Sequence, residues 1–73
     1  MKEIYQLKII ENWDRGTNHK EELFFSDYQR AFNYLRLNLY ERKSGDELIN
    51  VGDSELWEKD YGYQVRVYKR MLN

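Results

Sequence analysis

The sequence predicts an α+β domain of order ββαββ, with one helix packed on one face of an antiparallel sheet and one extra short strand allowed for. Three observations carry this: period-two alternation toward both ends, a single helical periodicity between them, and a length of 73 residues that suits one small domain. Residues 1–73 are read as that single domain, since no repeat, low-complexity tract or Pro-rich linker divides them.

The first element alternates. Tyr5, Leu7, Ile9 and Trp13 fall on one face and Gln6, Lys8 and Asn12 on the other, the pattern of a half-buried strand. Asp14 to Asn18 supplies turn chemistry, and Glu21 to Phe25 returns as the second strand of a hairpin.

Ser26 followed by Gln29 has the spacing of a capping box, so a helix is expected over 27–43. Tyr28, Ala31, Phe32, Leu35 and Leu39 then recur on one face as its core stripe. Arg42 and Lys43 suit the negative pole of such a helix, and Gly45 is its expected terminator. Beyond it, Leu48 to Val51 is a short strand candidate, Leu56 to Lys59 a second, and Tyr63, Val65 and Val67 alternate with Gln64, Arg66 and Tyr68 in the final strand.

Composition narrows the chemistry. The chain has no Cys, which removes disulfides, thiolate metal sites and a cysteine nucleophile, and its single His leaves no common metal recipe. No cofactor or metal is expected. His19 is expected to be an exposed loop residue, because neither Thr17 nor any Ser has a nucleophile context beside it. Asp46, Glu47, Asp53, Glu55, Glu58 and Asp60 face only Lys59 in charge, but they do not follow the calcium-loop order and are expected to form a solvated acidic loop. The charge-punctuated N-terminus lacks the apolar run of a signal peptide or membrane span, so a cytoplasmic protein without a membrane partner is expected.

Two surfaces are candidates for binding. On a helix over 27–43, Leu37 lies about 180° from Tyr28, with Tyr34 and Tyr40 on either side. Tyr34, Leu37 and Tyr40, rimmed by Arg30, would then form an exposed patch of the composition found at protein interfaces, the alternative being that Trp57 or Met71 and Leu72 fold over this face and bury it. On the last strand, Arg66, Tyr68, Lys69 and Arg70 combine cations with an aromatic ring, as single-strand nucleic-acid binders do. A formal net charge of −1 gives no general attraction to phosphate. The first surface therefore leads: the expected function is a non-enzymatic protein–protein interaction module, engaging another protein or a second copy of itself. Binding of nucleic acid by the last strand is the alternative. Frequent Lys, Asn, Ile and Tyr without Pro or Cys resembles the small proteins of AT-rich genomes, among them phage proteins. That resemblance implies an inhibitor of a host or defence protein.

Overall fold

A computed structural model describes residues 2–12, 18–45, 48 and 50–72. The elements are β1 (Lys2–Asn12), β2 (Asn18–Phe25), α1 (Tyr28–Leu37), β3 (Glu41–Ser44), β4 (Ser54–Lys59), a single 3-10 turn (Asp60–Gly62) and β5 (Tyr63–Leu72). They form one five-stranded antiparallel sheet of order β2-β1-β5-β4-β3 with one helix, an α+β fold with one short strand more than ββαββ, at Glu41–Ser44 rather than at Leu48 to Val51. Trp13, Asp14, Thr17, Asp46, Glu47 and Ile49 lie outside the described residues.

The alternation read in β1 and β5 sets the register. Leu7 stands opposite Val67 and Ile9 opposite Val65, while Leu23 of β2 flanks Leu7 and Trp57 of β4 flanks Val65. Directly opposed residues share a face, so these side chains project to one side of the sheet. There they meet Ala31 and Leu35 of α1 in a single buried cluster that also takes in Tyr40. Phe32 packs edge-on against Trp57 at 5.5 Å, and Tyr28 edge-on against Tyr5 at 5.8 Å.

The helix begins close to its expected start but with a different cap. Asp27, not Ser26, holds the extended N-cap conformation and accepts the backbone N–H of Arg30 at 2.9 Å; Gln29 bonds to Asn33 rather than back to the cap. Its end is a larger correction. The helix stops at Leu37, six residues short of 43, because Leu39 turns left-handed at φ 67°. The Leu39 N–H then donates to Arg36 O and the Tyr40 N–H to Leu35 O, the paired bonds of a Schellman motif closed by the buried Leu35 and Tyr40. Leu39 accordingly leaves the core stripe and is 79% exposed.

Arg42 and Lys43, expected at the helix end, belong instead to edge strand β3. Gly45 closes that strand with φ 87°, and an added Cβ would lie 2.6 Å from the carbonyl oxygen of Ser54, so the close approach to β4 requires glycine. The strand expected at Leu48 to Val51 is absent among the described residues. Asn50 to Asp53 is a turn in which Asp53 accepts the N–H of Asn50, and its Gly52 N–H docks on the carbonyl of Lys69 in β5.

Candidate interaction surfaces

A 10-residue helix is about 15 Å long, against a longest molecular dimension of 42 Å. It covers one side of the sheet. The other side is left bare among the described residues, and it is built by the alternate residues of the same strands. Its centre is the β1–β5 ladder, where Ile4 opposes Arg70, Gln6 opposes Tyr68 and Lys8 opposes Arg66. Leu56 of β4 stands next to Arg66 on the far side, and Phe24 of β2 next to Gln6.

This face is organised around Tyr68. The Arg70 guanidinium lies 4.6 Å from the ring centroid and the Lys8 ammonium 5.4 Å from it, both within cation–π range. Arg70 also donates to the Gln6 side-chain oxygen at 3.1 Å, and Gln6 in turn donates to Glu22 at 3.1 Å. Arg66 reaches Ser54 Oγ at 3.5 Å. None of Lys8, Arg66 and Arg70 makes an ion pair with a described residue. By register, Lys2, Lys8, Lys20, Arg66 and Arg70 share the face with Glu22, Glu41 and Glu58, so it is positive although the whole chain carries −1.

Three of the four strand residues singled out from sequence therefore come together. Lys69 does not. Its position in the alternation sends it to the helix side, where it is only 12% exposed and pairs with Glu3 at 3.3 Å. Lys8 is the member that sequence reasoning missed; its signal was the period of two in β1, once β1 and β5 are known to be neighbours.

The helix patch does not form as expected. Tyr40 lies beyond the helix end and is 3% exposed, and Tyr34 is half-buried with its ring 5.6 Å from Phe25. Burial raises the hydroxyl pKa of both, that of Tyr40 to about 12. Arg30 is exposed and pairs with Asp27 at 3.3 Å. Leu37 is exposed as expected, at 82%, and its neighbour on that corner is Leu39.

The acidic stretch is not one solvated loop. Glu55 is 1% exposed in β4, on the helix side with Trp57. Its carboxylate accepts the Tyr28 hydroxyl, 3.0 Å and 2.9 Å from its two oxygens, the Trp57 indole N–H at 3.0 Å and Arg42 Nη1 at 3.4 Å. Burial, then the bond to Glu55, pushes the Tyr28 hydroxyl up to about 12. The Glu55 carboxylate is buried and fully bonded, while Arg42 reaches it from a half-exposed position, and the set ties α1, β3 and β4 together. Glu58 and Asp60 instead line an open cleft of about 500 Å³ with Leu39, Glu41, Lys43, Lys59 and Tyr63. Within it Lys59 is engaged by the fold, lying 4.5 Å over the Tyr40 ring and donating to the carbonyl of Asn38.

His19 sits within β2 opposite Glu11, not in the loop, and its side chain lies outside the described set. Among the described residues no group of three His, Cys, Asp or Glu is placed to hold a metal ion, and no helix is long and apolar enough to cross a membrane. No protein-family model, curated protein or solved structure matches the chain.

Proposed function

We propose that the chain is a non-enzymatic protein–protein interaction module whose partner docks on the uncovered face of the sheet. The observation that supports this is the constellation at its centre: Tyr68 between Lys8 and Arg70, with Arg66 alongside and Ile4, Ile10 and Leu56 around them, on a face that no described element covers. Tyr and Arg surrounded by aliphatic side chains is the make-up of interface hot spots. Side chains already held by neighbours also lose less entropy on binding than free ones.

Affinity capture from bacterial lysate with the tagged protein, before and after nuclease, tests this against docking at the helix corner and against nucleic-acid binding in one experiment. The expected result is a discrete protein partner that survives nuclease, is lost with Tyr68→Ala and is kept with Leu37→Arg. Retention with Tyr68→Ala and loss with Leu37→Arg would move docking to the exposed corner of Leu37 and Leu39. Recovery only of nuclease-sensitive material would replace the proposal with nucleic-acid binding.

A further inference from the structure

We infer that the segment received by the uncovered face is an acidic stretch of polypeptide, its carboxylates meeting Lys8, Arg66 and Arg70. The inference rests on the proposed docking at this face and adds the chemistry of what docks.

Like charges directly opposite one another weaken a strand pair, yet Lys8 stands opposite Arg66 on neighbouring strands. None of Lys8, Arg66 and Arg70 makes an ion pair with a described residue; Glu22, opposite Lys8 on β2, accepts from Gln6 instead. Their side chains are nonetheless held. Arg70 is fixed by Gln6 and the Tyr68 ring, Lys8 by the same ring from the adjacent strand, and Arg66 by Ser54. Arg70 lies four steps along β5 from Arg66, about 14 Å at the rise of a strand, while Lys8 adjoins Arg66 across about 5 Å. Such an array suits one or two carboxylates at the Lys8–Arg66 pair and another further along β5. Each new contact would be a charge-assisted hydrogen bond to a donor already in position.

A single-stranded nucleic acid would ask for different features. It needs free ring faces on which bases stack and a cationic track for successive phosphates. Here Tyr68 is the ring at the centre and two cations already lie over it, and the exposed ring of Phe24 on the same face stands two strands away on β2 rather than along the cations of β5. Glu22 beside Lys8 on β2 and Glu58 opposite Gln64 on β4 bound the positive strip on both sides. The cations between those borders are few and spaced, an arrangement that favours discrete carboxylates over a run of successive phosphates.

The test measures binding of a fluorescent Asp/Glu-rich peptide by anisotropy, with a Lys-rich peptide and oligo-dT as alternatives, as salt is raised. Wild type is compared with the Arg66→Gln/Arg70→Gln double variant, whose fold is checked by far-UV circular dichroism. The acidic peptide should bind in preference to both alternatives, weaken with salt, and lose about tenfold or more in affinity in the double variant. Oligo-dT binding more tightly than the peptide, absence of peptide binding at low salt, or equal peptide binding by the double variant would each overturn the inference. If the partner lost with Tyr68→Ala is still captured by the double variant, the acidic inference fails while docking on this face stands. If Tyr68→Ala loses no partner, docking on the face fails first.

Discussion

The two faces of the sheet are made by alternate residues of the same strands, and the contrast between them separates what folds the chain from the face on which we propose that a partner docks. On the covered side Leu7, Ile9, Trp57, Val65 and Val67 are buried, and the one charged group among them, Glu55, has donors from α1, β3 and β4 around it. On the bare side every second residue is half-exposed or exposed, and the charges keep no carboxylate partners at the centre. Burying a charge is tolerable only when it is fully paired, and the helix side obeys that rule. On the bare side Lys8 stands opposite Arg66 against the cross-strand rule that like charges avoid each other, and opposite Glu22 in keeping with it; the first pairing supports the proposed docking there.

The largest expected effect tests the division directly. Trp57→Ala removes a fully buried indole that meets Phe32 and bonds Glu55, and should cost about 3–5 kcal/mol in urea unfolding. Tyr68→Ala, an aromatic truncation only one strand away on the opposite face, should cost less than about 1 kcal/mol. Equal losses would mean that the bare face is part of the stabilising core, and its role as a free docking surface would go with it.

Tyr28→Phe sharpens the covered side. It removes a hydroxyl that donates to the buried Glu55 carboxylate, and should cost about 1.5–3 kcal/mol at neutral pH. The same substitution should alter the response to alkali. Raised from 10 to about 12, the Tyr28 hydroxyl keeps its proton in the folded chain after the unfolded chain has begun to lose its own. Stability from this group is therefore complete below about pH 10 and is lost between about 10 and 12, where the unfolded state binds fewer protons. Tyr40 acts in the same sense and window. The variant should be weaker at pH 8 but show a shallower decline of melting temperature above pH 10. An unchanged slope would show that the phenol is not held by the fold.

How far these features could be read in advance follows from their periodicity. β1 and β5 were legible because Leu7, Ile9, Val65 and Val67 repeat every second residue, and the helix start was found to within one residue of its observed position. The helix end was hidden. Leu39 continues the apolar spacing of Tyr28, Ala31, Phe32 and Leu35, and it occupies the left-handed position where glycine is the usual signal, so the reading ran on toward Gly45. That error carried Tyr40 into an exposed patch and made a helix end of Arg42 and Lys43. A four-residue polar edge strand such as β3 has no apolar alternation to announce it. Glu55 was read by the company of its acidic neighbours, although its spacing from Trp57 places both on one side of β4. Arg66, Tyr68 and Arg70 were legible as a set, and Lys69 was joined to them by adjacency where the strand period should have excluded it.

Leu39 itself supplies the next test. A leucine at φ 67° costs about 1–2 kcal/mol relative to a right-handed conformation, and its side chain is 79% exposed, so little packing offsets that cost. Leu39→Gly should therefore raise stability by about 1 kcal/mol, read as a higher denaturation midpoint. It should leave docking on the sheet face unchanged. A destabilised variant would show that Leu39 contributes contacts its exposure does not reveal, whereas a stabilised variant that loses its partner would bring the corner of Leu37 and Leu39 into the interface.

The smallest effect bears most closely on the bare face. Arg66→Glu places a carboxylate opposite Lys8, turning a repulsive cross-strand pair into an attractive one at an exposed position. Cross-strand charge pairs contribute about 0.2–1 kcal/mol, so the variant should be slightly more stable than the parent, with the gain shrinking as salt screens the new pair. A double-mutant cycle with Lys8→Gln isolates the term: Lys8→Gln alone relieves the repulsion from Arg66 but gives up the attraction of Glu22 opposite it on β2, and in its background the gain from Arg66→Glu should shrink. The same Arg66→Glu should abolish binding of an acidic segment. Stability and binding moving in opposite directions at one residue is the result that separates a face kept for a partner from one kept for the fold. A loss of both would mean that Arg66 serves the sheet, for instance through Ser54, and that its pairing with Lys8 carries no information about a ligand.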